Sequence, residues 1–140
     1  MQNKIFFDAN ILIDLMNESN ELNQEITYLF NSVRKQRYLL YCSPTTFAIT
    51  YFFLGKSIKN KTRLNKVSRE FFAEFDFTSE NNLIIRSAMN SDFRDLEDAL
   101  QFFSAKDSEI DIIITKNFFD YEHSSIPVYH PLEFINRFLL

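Results

Sequence analysis

Glycine, proline and cysteine are scarce in this sequence, and each scarcity excludes something. One glycine and three prolines support few tight turns, which favours helices joined by polar loops. A single cysteine, Cys42, excludes a disulfide framework and predicts a reducing, cytoplasmic setting. Because Cys42 lies in the apolar run YLLYCS, we expect a small buried side chain there rather than a nucleophile.

Long hydrophobic runs are missing as well. No apolar stretch approaches the roughly 20 residues that span a bilayer, and Asp8 and Asp14 interrupt the apolar N-terminus that a signal peptide would need. We therefore expect no membrane segment and no secretory signal. The 140 residues are 46% hydrophobic and include 17 phenylalanines, which predicts a single domain over residues 1–140 with a sizeable core.

Acidic residues are absent between Ile26 and Arg69, although the whole chain carries 19 of them against 15 basic residues. That segment holds nine of the basic residues. A basic segment in an otherwise acidic chain suits a polyanion such as RNA, held near cations bound by the acids. The competing interpretation is that residues 56–69 form only the solvated face of a helix. The candidate RNA contacts are Arg34, Lys35, Lys56, Lys59, Lys61 and Arg63.

Apolar segments with strand and helix periodicity alternate along the chain. Strands are predicted at 4–7, 38–42, 75–77, 110–114 and 127–129, with helices between them. This alternation predicts an α/β/α sandwich of three layers around a mostly parallel sheet of four or five strands. We expect the first strand at the centre, the last strand at an edge, and the almost wholly apolar helix at 44–54 in a central position.

Three acids are predicted to meet at one edge of that sheet. Asp8 follows the first strand, Asp98 opens an acidic helix, and Asp120 lies just past the isoleucine-rich strand. Ligands of parallel sheets gather at the carboxyl ends of the strands, and Mg²⁺ or Mn²⁺ prefers carboxylate oxygens. We therefore predict that these three acids bind a metal ion and are catalytic, supported by Asp95 or Glu97.

Each acid also has a purely structural interpretation. Asp95 can cap the acidic helix, and Glu97 and Asp98 then fall in its first turn, where the helix dipole favours carboxylates. Asp8 can begin a helix, and Asp120 can be an ordinary loop acid. The functional interpretation rests on all three falling where one cleft would form.

Three motifs carry a resemblance to a known family. They are FFDANILIDLM with Asp8 and Asn10, EDALQ at 97–101, and TKNFFDY at 115–121. Together, in this order along essentially the whole chain, they resemble the PIN-domain family, and among its members the VapC-like toxins of bacterial toxin–antitoxin pairs.

The resemblance implies a compact α/β/α ribonuclease that depends on Mg²⁺ or Mn²⁺, with an RNA substrate and a separate antitoxin partner. It matches Asp8 and Asp98 to metal-binding acids and Asp120 to a fourth, less uniform acid. It also implies that Asn10, Thr115 and Asn117 shape the site. Similar proteins pair as homodimers, and the candidate contacts here are Phe52, Phe53, Phe71 and Phe72.

One position departs from the family pattern. Many such toxins carry S-x-x-T-x-x-E on the third helix, but here Ser43 and Thr46 are followed by Ile49 in place of the glutamate. The sequence therefore predicts a metal-dependent endoribonuclease and toxin. The alternative function is a weakly active or inactive PIN-like module that binds RNA or protein.

Two other classes fit the sequence less well. A haloacid-dehalogenase-like phosphatase needs D-x-D after the first strand, and Asn10 replaces the second aspartate. A receiver-like domain needs an acceptor aspartate at the end of a middle strand, where this chain has Ser43 and Pro44.

Overall fold

A five-stranded parallel sheet forms the centre of the computed structural model, which describes residues 3–139. The strand order is β3-β2-β1-β4-β5, and every pairing is parallel. The predicted sheet is confirmed, with β1 at its centre and β5 at an edge. The strands are β1 (Lys4–Phe7), β2 (Leu39–Cys42), β3 (Phe75–Phe77), β4 (Ile112–Ile114) and β5 (Val128–Tyr129).

Helices make the connections between successive strands. A short 3-10 helix at Phe118–Tyr121 follows β4, and a π-helical turn at Ile135–Leu139 follows the last α-helix. No helix within residues 3–139 has the length and apolar character needed to cross a bilayer. The α-helices are α1 (Ala9–Met16), α2 (Asn23–Lys35), α3 (Pro44–Gly55), α4 (Lys61–Phe71), α5 (Asn82–Met89), α6 (Leu96–Asp107) and α7 (Pro131–Phe134).

The sheet is buried on both faces. Alternate residues of a strand point to opposite faces, so Ile5 and Phe7 of β1 pack into one apolar cluster and Phe6 packs into another. The first cluster takes in side chains of α1, α2 and α7, and the second takes in Phe102 and Ala105 of α6. The sheet therefore separates two apolar cores, each covered by helices. Helices, sheet and helices are the three layers that the alternating pattern predicts.

Two helices begin later than the sequence pattern indicated, because asparagine caps determine their first residues. The apolar periodicity of the sequence predicts a helix over 58–74, but the Asn60 side chain accepts a hydrogen bond from the backbone N–H of Arg63 at 2.9 Å and fixes the start of α4 at Lys61. For α5 the sequence predicts a start at Ser79 or Glu80, but Asn81 caps the helix instead. Asparagine satisfies the free N–H groups of a first helical turn well.

α3 does not hold the central position that its apolar sequence predicted. Its buried residues are Thr46, Thr50 and Leu54, whereas Phe52 is 70% exposed. A helix that is apolar on every side gives no periodicity to identify its inner face. The two buried threonines are tolerated because their hydroxyls are satisfied, as Thr50 shows by donating to the carbonyl of Thr46 at 2.8 Å.

The inner face of α6 is also rotated from the predicted one. The apolar spacing of the sequence predicts that Leu96 and Ala99 share the inner face of this helix, but the Leu96 side chain is half exposed. The buried face does include Ala99, but it also contains three polar side chains, Asp98, Gln101 and Ser104. Asp98 and Gln101 face the carboxyl ends of β1 and β4, where the site described next is built.

Candidate functional site

Asp8 is held in place by three separate elements. It directly follows β1, caps α1 through a hydrogen bond from the Asn10 N–H to its Oδ1 at 3.4 Å, and is only 2% exposed. The Thr115 hydroxyl donates to Asp8 Oδ2 at 2.7 Å, and the Gln101 amide donates to Asp8 Oδ1 at 3.1 Å. Asp8 is therefore both a helix cap and a fixed acid at the carboxyl edge of the sheet.

Asp98 faces Asp8 from the first turn of α6. It is 4% exposed, and Gln101 Nε2 lies 3.5 Å from its Oδ1. Its other oxygen, Oδ2, is buried and receives no hydrogen bond from a donor among residues 3–139. The Asp120 carboxyl group lies close enough for its negative charge to raise the pKa of Asp98.

The crowding of these acids changes their proton affinity. The pKa of Asp98 is raised to about 8, first by burial and then by the negative charges of Asp8, Asp95 and Asp120. Burial also raises the pKa of Asp8, although the hydrogen bonds from Thr115 and Gln101 oppose that change. At neutral pH the cluster therefore retains a proton, and any cation that enters would replace it.

Asp95 and Glu97, the predicted supporting acids, differ in position. Asp95 caps α6, with its Oδ1 accepting the backbone N–H of Asp98 at 3.0 Å, and its charge reaches the Asp98 carboxyl group. Glu97 is exposed and makes no hydrogen bond or ion pair within the described residues. The capping interpretation of Asp95 is thus correct, and Glu97 does not join the buried acids.

Thr115 links the remaining predicted site residues to Asp8. Its hydroxyl oxygen accepts from Asn10 Nδ2 at 3.4 Å and from the backbone N–H of Asn117 at 3.0 Å. The Asn10 side chain in turn accepts the N–H of Lys116 at 3.2 Å. Asn10 and Thr115 therefore shape the site with their side chains, whereas Asn117 contributes its backbone.

Gln101 is the central residue that the sequence did not identify as functional. Besides its contacts to the two acids, its Oε1 accepts from the Ala9 N–H at 3.2 Å and from the Thr46 hydroxyl at 2.8 Å. These four contacts use the full hydrogen-bonding capacity of an amide side chain. The available signal was its position three residues after Asp98, which places both on one face of a helix.

Arg94 and Tyr121 also reach the cluster without having been predicted. Arg94 Nη2 lies 3.3 Å from Asp120 Oδ1 and is largely exposed on its other side. The Tyr121 hydroxyl is buried and approaches Asp8 without forming a hydrogen bond of good geometry. Burial and the charges of Asp8 and Asp98 raise the pKa of Tyr121 well above its usual range, so the phenol stays protonated.

The comparison with protein families identifies this arrangement. The family model described as PIN domain matches residues 4–118, which contain Asp8, Asp98 and Thr115. This chain belongs to the PIN-domain family. The resemblance drawn from the three motifs is therefore confirmed. Among curated protein sequences, none matches the chain.

Solved structures share the fold of this PIN domain. The sarcin–ricin loop cleaving toxin VapC20 of Mycobacterium tuberculosis has a TM-score of 0.65 at 14% identity, covering 84% of this chain and 95% of the toxin. A toxin–antitoxin complex from Klebsiella pneumoniae has a TM-score of 0.65 at 22% sequence identity, covering 91% of this chain and 97% of the matched chain. VapBC2 of Rickettsia felis, bound to a promoter DNA fragment, has a TM-score of 0.64 at 12% sequence identity, covering 91% of this chain and 98% of the matched chain. At these identities, the likeness establishes the fold alone.

Two of the predicted RNA-binding residues lie far from the acids of the PIN domain. Arg34 and Lys35 end α2 just before β2 begins, at the amino edge of the sheet, whereas Asp8 lies at the carboxyl edge. The four residues of β1 separate these edges by roughly 13 Å. Arg34 also forms an ion pair with Glu74. We therefore leave both residues out of the RNA path proposed below.

Two of the other predicted cations line the α3–α4 groove, an apolar cavity of about 630 Å³ between those helices. Lys56 and Lys59 line it, and the Lys56 ammonium group lies 5.4 Å from the centre of the Phe52 ring. Lys56 follows Thr46 by ten residues, or about 15 Å along a helix. This groove is thus separate from the acids. Lys61 and Arg63 are exposed on α4.

The acids fit a hard divalent cation that keeps much of its water. Within residues 3–139, no three side chains of His, Cys, Asp or Glu form a ready-made ligand cluster. Mg²⁺ commonly binds through only one or two carboxylates and several waters. Asp8 and Asp98 supply two carboxylates, and the unpartnered Asp98 Oδ2 supplies a free ligand atom.

Proposed function

We propose that this PIN domain is a metal-dependent endoribonuclease. The observation that carries the proposal is the convergence of Asp8 and Asp98, which are distant in sequence, buried, and joined through Gln101 at the carboxyl edge of the sheet. Burying two acids next to each other costs folding free energy, and strongly raised pKa values cluster at functional sites.

Asp8 and Asp98, with Asp120 beside them, would hold the Mg²⁺ or Mn²⁺ ion. When bound, such an ion lowers the pKa of a coordinated water and offsets charge on a phosphodiester. Thr115 and Gln101 orient Asp8, so its carboxylate does not need to reorganise when the ion and substrate arrive. Arg94, which is exposed beside Asp120, would contact a phosphate oxygen of the RNA.

We further propose that the enzyme is the toxin of a bacterial toxin–antitoxin pair. The Klebsiella pneumoniae and Rickettsia felis structures that share its fold are complexes of this kind, and the motifs of this chain resemble VapC-like toxins. The proposal implies a separate antitoxin chain and places the protein in the cytoplasm with its RNA substrate.

A second function is favoured by one observation. Ile49 stands where many such toxins carry a glutamate, so the cluster has one carboxylate fewer than the family pattern. A PIN-like module that binds RNA or protein without cutting it would retain the same fold. The buried acids support the enzyme, and Ile49 supports the binding module.

Replacing Asp98 by asparagine separates the two functions. Asparagine is nearly isosteric and tolerates the first helical turn, so Asp98→Asn should fold. If the proposal is correct, wild-type protein cleaves RNA in Mn²⁺ or millimolar Mg²⁺ and its melting temperature rises with the ion. Asp98→Asn should lose most of both effects.

Asp107→Asn is the matched control, since Asp107 is exposed at the opposite end of the same helix. It should behave as wild type in both assays. Equal metal-induced shifts in all three proteins, with no cleavage of single-stranded or structured RNA by the wild type, would support the binding module instead.

A further inference from the structure

Two aromatic side chains next to Asp120 in the chain are exposed and do not pack in the core. Phe119 is 76% exposed and Phe118 is 50% exposed. Neither belongs to the two apolar clusters, and neither pairs with another aromatic ring within residues 3–139. Tyr121, in the same short 3-10 helix, is buried. The turn therefore directs one ring into the protein and two rings into solvent.

This turn is firmly attached to the acid cluster. The backbone N–H of Asn117, at its start, donates to the Thr115 hydroxyl that holds Asp8. The backbone N–H of Asp120 donates to the carbonyl of Asn117 at 2.9 Å, and the Asp120 carboxyl group lies beside Asp98. Phe118 and Phe119 therefore lie in the backbone turn between Asn117 and Asp120, next in the chain to an acid of the cluster.

We propose that Phe118 and Phe119 form a stacking platform for unpaired bases of the RNA next to the cleaved phosphodiester. This inference rests on the proposed function and specifies its substrate as single-stranded RNA. Aromatic side chains with a nearby cation bind single strands with little sequence preference, because every base offers a flat face. Arg94 supplies that cation, 3.3 Å from Asp120 in the same turn as the two rings.

A duplex could not use this platform in the same way, because its bases are stacked on each other inside the helix. The α3–α4 groove is also apolar, but it lies along a helix that leads away from the acids. The position of the two phenylalanines beside Asp120 therefore favours a base over a surface for general protein docking. An apolar segment of a protein partner is the competing occupant.

Substitutions of Phe119 test the stacking directly. Phe119→Ala should raise KM for a single-stranded RNA about ten-fold with little change in kcat, the effect of losing one base–aromatic stack. Phe119→Leu should raise KM by as much, since leucine keeps the apolar bulk but has no flat ring. Phe119→Trp should retain the wild-type KM. Leu83→Ala is the control, because Leu83 is 71% exposed on α5.

A binding measurement separates stacking from catalysis. Asp98→Asn protein should quench the fluorescence of 2-aminopurine placed in a short single-stranded RNA, since stacking on a ring quenches this base. Adding Phe119→Ala or Phe119→Leu should abolish the quenching, and adding Leu83→Ala should not. A duplex carrying the same base should show no change.

The outcomes distinguish this inference from the proposed function. Cleavage by wild type with equal KM in Phe119→Ala and Phe119→Leu would overturn the platform and leave the nuclease standing. A raised KM in Phe119→Ala but a wild-type KM in Phe119→Leu would also overturn the platform, and would indicate an apolar protein contact. Quenching without cleavage would overturn the nuclease but support the platform. No quenching and no binding would overturn the platform.

Discussion

Gln101 donates a hydrogen bond from its side-chain amide to the carboxylate of Asp8 over 3.1 Å, linking two residues that are 93 positions apart in the chain. The same amide accepts hydrogen bonds from Ala9 and Thr46. It therefore joins α6, α1 and α3 at the point where the acids meet. A single neutral side chain holds the two buried carboxylates in one arrangement.

Removing this amide should cost more stability than any exposed substitution. Gln101→Leu leaves the Ala9 N–H without a partner and removes the amide's hydrogen bonds to the Thr46 hydroxyl and to Asp8 Oδ1. We expect a loss of about 2–4 kcal/mol in the free energy of unfolding. Urea denaturation measures this change. Gln24→Leu, on the exposed face of α2, is the control and should stay within about 0.5 kcal/mol of wild type. Equal midpoints for the two variants would contradict this role of Gln101.

Asp98 should make the metal-free protein less stable as pH rises. Its folded pKa is about 8, whereas an unfolded aspartate has a pKa of about 3.9. Between these values the folded protein binds more protons than the unfolded chain, so the free energy of unfolding falls from about pH 4 to about pH 8. The raised pKa of Asp8 acts in the same direction.

Asp98→Asn should remove much of this dependence. In EDTA above pH 8, we expect the variant to be more stable than wild type by at least about 1.4 kcal/mol, the free energy of one pKa unit. Near pH 4 the two should be nearly equal. Denaturation across this pH range tests the expectation, with Asp107→Asn retaining the wild-type slope. A wild-type protein whose stability is flat or rises between pH 5 and 8 would exclude a buried, protonated Asp98.

The strands and the positions of Asp8 and Asp98 at the edge of the sheet could be predicted because each leaves a local pattern. Ile112–Ile114 is apolar on both faces, and Asp8 follows a buried strand directly. Gln101 could not be predicted in its role, since a polar residue in a helix is usually exposed. Its burial depends on how α6 is rotated against the sheet, which is set by packing with distant residues such as Thr46.

The scarcity of glycine has a measurable consequence at the end of α6. Glu109 has a φ of 55°, in the left-handed region that favours glycine, and the Ile110 N–H bonds back to the Ala105 carbonyl at 3.1 Å. Glu109→Gly should therefore stabilise the protein by about 0.5–1 kcal/mol, because it relieves the Cβ clash while making the unfolded chain more flexible. Glu109→Ala keeps the clash and should give no gain in thermal denaturation. A destabilised glycine variant would contradict this explanation.

Pairing of two copies remains a prediction that the fold makes more specific. Of the four phenylalanines proposed as contacts, Phe72 is buried in the core and only Phe52 is largely exposed, on the wall of the α3–α4 groove. In a two-fold dimer the same surface meets itself, and burying the Phe52 ring would contribute about 2 kcal/mol per copy. Phe52→Glu should therefore convert a dimer to a folded monomer in sedimentation at micromolar concentration. Leu83→Glu adds the same charge to an exposed apolar position on α5 and should leave the dimer intact. A wild-type monomer, or a dimer that survives Phe52→Glu, would show that this groove does not pair two copies.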